Sequence, residues 1–363
     1  MSDDSRQIAK ALDLNDQHIR GQVVPVRPPV PMTAKAKREA ENAQPSPLTV
    51  KELLTQAMDR AFSTTRVPVF KTGHWMLDEY TGGLRSGHVW VIGADTSWGK
   101  STWAVSFADL NMAVGHRVLI ISVEDPPELY GRRLLARRSK VSATRLRDQR
   151  LSPEEMIRVT SAVAAAQPLP FFLDARTERA EWVAKHLPGI IVDHEIRIVI
   201  VDYLQEMRSV QSYTQTRDEV SAVAKMLREA IKGAGAAGIF LSQLTIEDPN
   251  KPPTKHMIRE SRNVSNAAEG VMLGWTPGQD FGDFQKGKRY LLVDKAKDGI
   301  AKRYVELAWD DNMATFVEAR DPYEPPDYLA DLANRIDPDA PVPDGEEDGG
   351  PVDVAPLDGG EAF

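Results

Sequence analysis

His88-Val-Trp-Val-Ile-Gly-Ala-Asp-Thr-Ser-Trp-Gly-Lys-Ser-Thr102 runs from an apolar stretch through small loop residues into Gly99-Lys100-Ser101 and an amphipathic segment. That order predicts a strand, a phosphate-cradling loop and a helix N-terminus. Backbone N–H groups from Ser97 to Ser101 can converge on phosphate oxygens, and the helix dipole favours the same anion. Lys100 is placed to reach the β- and γ-phosphates, and Ser101 supplies a hydroxyl for Mg²⁺. Ala94, Ser97, Trp98, Gly99, Lys100, Ser101 and Thr102 are the expected nucleotide contacts. Ala94 stands where the usual G-x-x-x-x-G-K-[ST] pattern has its first glycine, so the match needs a relaxed first position. Trp98 is unusual inside such a loop, and both a core anchor and a surface contact fit it.

Composition narrows the class. The chain has 363 residues, enough for one large domain or two modest ones, and its 42% apolar content can build a core. There is no 18-residue apolar run to cross a membrane. With zero cysteines, disulfides and thiolate metal sites are excluded. The polar, acidic start Met1-Ser-Asp-Asp-Ser5 is unlike a secretory signal, and a cytoplasmic location is expected. Charge is uneven. Residues 321–363 hold 13 of the 53 acidic residues and one of the 45 basic ones, which leaves 40 against 44 in residues 1–320. The body is therefore near +4 although the whole chain is −8.

Four segments are expected. Residues 1–48 carry one short helical stretch, 8–19, and a stiff Pro-rich linker from Val23. Residues 49–66 hold a helix capped by Thr49, with Leu53, Leu54, Ala57, Ala61 and Phe62 as an apolar stripe. Residues 67–320 form the main domain, and the acidic tail 321–363 has too little to bury and is expected to be disordered. Within the main domain, strand candidates at 89–93, 117–123, 170–173, 196–201 and 237–241 alternate with helical stretches at 102–114, 127–139, 153–166, 182–187 and 219–233. This is an α/β fold with a mainly parallel sheet covered on both faces. Further strands at 271–275, 289–293, 304–309 and 315–318 are spaced like hairpins and are expected to extend that sheet.

Other polar residues sit at strand ends. Ile198-Val-Ile-Val-Asp202 ends in a carboxylate suited to hold Mg²⁺ beside a phosphate loop. Leu119-Ile-Ile-Ser-Val-Glu124 ends in a carboxylate that can polarise an attacking water as general base; Asp125 competes, but Glu124 has the longer reach. Gln243, closing Gly238-Ile-Phe-Leu-Ser-Gln243, can hydrogen-bond a γ-phosphate. Lys295 and Lys297, at i and i+2, point to one face of a strand and suit either solvent or a phosphate on an adjacent subunit. Two loops beyond strand ends carry Arg208, Tyr213 and Arg217, and Lys251, Lys255, Arg259 and Arg262. In open α/β sheets ligands bind there, and these side chains suit the backbone of single-stranded nucleic acid.

Taken in order, these motifs resemble the DnaB family of replicative helicases. The resemblance rests on residues 71–87 before the loop, Ser122-Val-Glu-Asp125, Val201-Asp-Tyr-Leu-Gln205, Leu241-Ser-Gln-Leu244 and Ile258-Arg-Glu-Ser261, and on the relaxed Ala94. It spans roughly 50–318 and implies a RecA-like P-loop NTPase that forms a hexameric ring, hydrolyses ATP with Mg²⁺ at subunit interfaces and translocates on single-stranded DNA. It further implies that Glu124 is the base, Asp202 the metal-side carboxylate, Arg133 an arginine near the γ-phosphate and Gln243 the coupling glutamine. The stretch 294–299 is implied to reach a neighbour's site, and the helix within 49–66 to dock on the next subunit. The family commonly has an arginine where this chain has Lys297, and lysine keeps the charge without the bidentate fork. Residues 1–48 are too short and proline-rich for the family's N-terminal domain, as expected of a phage- or plasmid-type protein. The acidic tail, ending in Phe363, resembles tails that recruit replication partners. A RecA-like recombination ATPase that does not unwind DNA remains the alternative at this point; a non-enzymatic adaptor is disfavoured by intact Lys100, Glu124 and Asp202.

Overall fold

A computed structural model describes residues 49–62, 67–96, 98–167, 169–174, 179–246, 248–258, 262–282, 284–310 and 315–316. The expected helix 8–19, the Pro-rich linker and the acidic tail lie outside these residues. The chain divides near Val67 into two units. In the first, helix α1 (Val50–Ala61) opens with a capping box in which the Thr49 hydroxyl and the Glu52 carboxylate satisfy each other's backbone N–H groups. It leaves Leu53, Leu54, Met58 and Phe62 exposed.

The second unit is built on an eight-stranded sheet. In chain order its strands are β3 (Val89–Ala94), β4 (Val118–Ser122), β5 (Phe171–Asp174), β6 (Ile198–Asp202), β7 (Ala237–Gln243), β8 (Gly270–Trp275), β9 (Arg289–Ala296) and β10 (Arg303–Leu307). β1 (Val69–Phe70) and β2 (Leu84–Arg85) pair separately. Across the sheet the order is β10-β9-β8-β3-β7-β6-β4-β5. The six strands from β8 to β5 are parallel; β9 adds antiparallel to β8, and β10 antiparallel to β9. The expected parallel sheet with an antiparallel extension is therefore present, with two adjustments. The segment from Gly270 opens the expected antiparallel array by pairing with β9, and its other edge pairs in parallel with β3 inside the sheet. The last pair, β11 (Trp309–Asp310) and β12 (Thr315–Phe316), forms its own small hairpin instead of widening the sheet.

Both faces are covered, so the strands read as continuous apolar runs. On β3, Val89 and Val91 face one core and Trp90 and Ile92 the other. The first face packs under α7 (Ala180–Asp193) and α8 (Thr216–Gly233), whose buried stripes are Val183, Leu187 and Ile191, and Val220, Val223, Leu227 and Ile231. The second packs under α3 (Lys100–Ala113), which is buried nearly all round through Trp103, Ala104, Phe107, Ala108 and Met112. The amphipathic segment expected after Ser101 is thus a helix buried on nearly every side, which carries no apolar stripe and is anchored by the loop before it. Two shorter helices, α2 (Trp75–Thr81) and α5 (Ala143–Arg147), escape periodicity because they make two turns or fewer. α4 (Pro127–Ser139) and α6 (Pro153–Ala166) keep the predicted bounds, since each begins with proline at its first turn.

The open choice at Trp98 resolves to a core anchor. Its side chain is 2% exposed and packs on Phe316 with ring centroids 5.1 Å apart. It also fills the space above Gly274, where a Cβ would stand 2.5 Å from the indole and 2.8 Å from the Ala94 Cβ. Gly274→Ala is therefore expected to overpack this contact by about 1–3 kcal/mol. Calorimetry should show a melting point lowered by several degrees; an unchanged one would mean the indole is free to move away.

Candidate nucleotide site

Four parallel strands, β3, β7, β6 and β4, place their carboxyl ends along one edge, in that spatial order. Register fixes the polar groups there: Ala94 pairs with Gln243, and Ser122 pairs with Asp202. The phosphate loop, Gln243, Asp202 and Glu124 thus share an edge although 149 residues separate the first from the last in sequence. Gly99 adopts the left-handed region at φ 104°, and a Cβ there would meet Trp309 and Phe316 at 3.2 and 3.4 Å. Only glycine both turns the chain into α3 and lets the hairpin pack against the loop.

Lys100 is 7% exposed, and its ammonium donates to the carbonyls of Ala94 at 2.9 Å and Asp95 at 3.0 Å. Burial pushes it down from the ordinary lysine value, against the opposing pull of Asp202, Asp95 and Glu124. The charge is thus stored on loop carbonyls within the field of the same carboxylates that line the site. Asp202 is 4% exposed and accepts from the Tyr130 hydroxyl at 2.6 Å and from Ser101. Burial raises its carboxyl, and the Tyr130 and Ser101 hydrogen bonds and Arg133 work the other way. Thr102 is buried in the first turn of α3. Ser97 lies outside the described residues, and the Trp98 N–H is turned to the Asp95 carbonyl at 3.2 Å.

Glu124 lies exposed just past β4. Partial burial, then Asp125, Glu206 and Asp202, raise its carboxyl, with Lys100 opposing. Asp125 is paired with Arg133 at 2.8 Å, so it is committed while Glu124 stays available. Arg133, implied by the resemblance to lie near the γ-phosphate, also stands over the Tyr130 ring at 5.4 Å. Gln205, quoted only as part of a motif, proves to brace the edge: its amide donates to the Ser242 hydroxyl at 2.7 Å. Neither it nor Tyr130 had a signal of its own, because their partners lie 37 and 72 residues away.

Lys295 and Lys297 fall elsewhere. β9 runs antiparallel, so its end lies at the opposite edge of the sheet. The Lys297 N–H donates to the Glu269 carbonyl, and the Glu269 N–H donates to the Val89 carbonyl. Lys297 is thus level with the start of β3, about 17 Å along the strand from Ala94. Lys295 is tied to the carbonyls of Ser265 at 3.4 Å and Asn266 at 2.8 Å. The Lys297 side chain is exposed and makes no hydrogen bond or ion pair among the described residues. The turn that carries it packs so closely on α2 that a Cβ on Gly299 would stand 2.2 Å from the Tyr80 carbonyl oxygen.

The loop cations are held weakly. Arg208 pairs with Glu219 at 3.7 Å, Arg217 with Asp218 at 3.6 Å and Lys251 with Asp248 at 3.8 Å; the three cations are exposed, and such long pairs exchange readily. Tyr213 donates to Gln211 at 3.1 Å, and Lys255 begins a short 3₁₀ turn. Arg262 opens α9 (Arg262–Ala267), and Arg259 lies outside the described residues. Because β6 and β7 are neighbours, the two loops leave the sheet side by side.

A family model for the DnaB-like helicase C terminal domain matches residues 70–318. The chain belongs to that family. It is 28% identical over 274 residues to the replicative DNA helicase DnaB of Haemophilus influenzae, covering 69% of this chain and 57% of that protein. The DnaB of Treponema pallidum is 28% identical over 249 residues, with 68% and 55% covered. The chain thus spans little more than half the length of the curated relatives it matches. Among solved structures, an isolated ATPase domain superposes with a TM-score of 0.67 at 18% identity, covering 76% of this chain and 100% of that one. A DnaB-like replicative helicase described with its interactions with primase gives 0.63 at 18% identity, covering 86% and 76%. The RecA-like fold implied by the resemblance is the fold observed.

Glu269, beneath the Lys297 turn, accepts from the Val89 N–H at 2.9 Å, Arg228 at 2.8 Å and Lys232 at 2.7 Å. Burial alone would raise its carboxyl, but the bonds from Lys232, Val89 and Arg228 outweigh burial and hold it down to about 2. A depressed carboxyl stabilises the fold fully above its unfolded value of about 4.3, and that contribution fades as pH falls toward 2. Glu269→Gln should therefore melt several degrees lower at neutral pH, with the gap to wild type closing below about pH 4. A gap independent of pH would show that charge is not what Glu269 contributes.

Proposed function

We propose that this chain is an ATP-driven motor of a ring-shaped replicative helicase. Each site hydrolyses ATP with Mg²⁺ between two subunits, and the ring moves on single-stranded DNA. The observation that carries this reading is the division of the site across the sheet. Lys100, Ser101, Asp202, Glu124 and Gln243 lie on one edge, while Lys297 stands on the other with its ammonium free among the described residues. A lysine side chain spans about 6 Å, too little to cover about 17 Å to its own phosphate loop. One copy thus offers two incomplete halves, and a neighbour supplies the missing one.

The donor set fits Mg²⁺: a buried carboxylate and a hydroxyl already in contact, beside a lysine, with phosphate oxygens left to complete the shell. When bound, the ion would neutralise charge on the phosphate oxygens. Glu124 accepts a proton from the attacking water, a role its raised carboxyl suits. Lys100 exchanges its loop carbonyls for the β- and γ-phosphates, and Lys297 of the neighbour meets the charge that develops on the γ-phosphate. Gln243 stands between the phosphate loop and the two basic loops, and reports loss of that phosphate to them. The paired cations at Arg208, Arg217 and Lys251 exchange carboxylates for DNA phosphates. Helix α1, whose Leu53, Leu54 and Met58 are exposed, docks on the next subunit. The acidic tail recruits replication partners, and the setting is the cytoplasm, that of a bacterial host if a phage encodes the chain.

Lys100→Ala and Glu124→Gln should each reduce ATP turnover by at least about 100-fold. Lys297→Ala alone should also be inactive, yet mixing it with Lys100→Ala should restore turnover, because interfaces form that pair an intact loop with an intact lysine. Failure of the mixture to recover would exclude the shared site. Strand displacement on forked DNA, with closed rings in electron microscopy, separates this motor from a filament-forming RecA-like ATPase.

A further inference from the structure

We infer that Tyr130 is a positioning residue for the metal-side carboxylate. Its hydroxyl donates to Asp202 Oδ2 at 2.6 Å and fixes how that carboxylate is presented to an incoming nucleotide–Mg²⁺ complex. The inference rests on the nucleotide site proposed above and deepens it.

Packing does not require that hydroxyl. Tyr130 is 1% exposed and sits in the same core as Trp103 and Ile200, where phenylalanine would fill the space equally well. A buried hydroxyl is costly unless it is bonded, and this one donates to the carboxylate, with the Ser122 hydroxyl also beside it. Asp202 closes β6 on a short side chain whose outer torsion is broad, so the plane of its carboxylate turns unless it is held. Two helices hold it: α3 through Ser101 and α4 through Tyr130. Ser101 is also the hydroxyl offered to the ion, so Tyr130 is the partner that Asp202 does not share.

Tyr130 is held in turn. Arg133, one helical turn further along α4, stands over its ring at 5.4 Å and is fixed by Asp125 at 2.8 Å. Asp125 is the residue after Glu124. A single run of contacts, Asp125–Arg133–Tyr130–Asp202–Ser101, therefore ties the segment carrying the base to the carboxylate that serves the metal. Outer partners of metal-binding carboxylates typically change metal affinity by 10–100-fold when removed.

The test is equilibrium binding of a fluorescent ADP analogue to the full chain, first in EDTA and then titrated with MgCl₂, for wild type and Tyr130→Phe. Both proteins should bind equally without the ion, and the variant should need on the order of tenfold more Mg²⁺ to reach half its Mg²⁺-dependent signal. Thermal melting confirms that the variant's core is intact. An unchanged Mg²⁺ midpoint, or an equal loss of binding in EDTA, would overturn the inference and leave Tyr130 a scaffold residue. Absence of Mg²⁺-dependent binding in wild type would instead sink the nucleotide reading itself.

Discussion

A sheet covered on both faces has nowhere to put a charge except at the ends of its strands. β3, β4, β6 and β7 are buried along nearly their whole length, and an ion in their interior would lose its hydration without finding partners. Polar chemistry is therefore driven to the carboxyl edge, where helix N-termini and loops can satisfy it. Parallel register then does the assembly: once Ala94 is opposite Gln243 and Ser122 opposite Asp202, the phosphate loop and three strand-end side chains must meet. The site follows from a burial constraint and does not depend on any single strong contact.

That origin explains what could be read in advance. Apolar runs ending in Asp202, Glu124 and Gln243 were legible because burial on two faces leaves an unbroken hydrophobic stretch with an abrupt polar end. The loop at Ala94–Ser101 was legible because its spacing reflects backbone geometry local to the loop itself. What escaped were contacts between elements. Tyr130 and Gln205 act on residues far along the chain, and no periodicity encodes which hydroxyl or amide will face which carboxylate. The hairpin at Trp309–Phe316 was misplaced for a related reason: alternation marks a strand but says nothing about which sheet it joins.

Trp98 shows the same limit from the other side. Inside a phosphate loop, an indole is a conspicuous candidate for contact with ligand. Its fate is decided by Gly274 on a strand 176 residues away, which leaves the space that the ring fills. The loop is thereby nailed to the sheet and to the small hairpin, with Gly99 making room for Trp309 and Phe316. A loop that must hold backbone N–H groups on a phosphate gains from such anchoring, because preorganised donors need not be reoriented when the anion arrives.

The lysine at 297 makes the same demand on its surroundings. A guanidinium meets a phosphate through two parallel hydrogen bonds and so carries part of its own orientation. An ammonium is a point charge on a flexible stem, and its aim must come from the backbone that carries it. Here that backbone is constrained from three sides: the Lys297 N–H is bonded to Glu269, the Ile300 N–H to Tyr80, and Asp298 lies 3.6 Å from His88. Glu269 is itself fixed by Arg228, Lys232 and the first residue of β3. The strand that ends in this chain's own phosphate loop thus begins at the brace for Lys297, the lysine proposed to serve the next subunit. In the ring proposed above, movement of β3 as a rigid element would carry both half-sites together and so link one interface to the next.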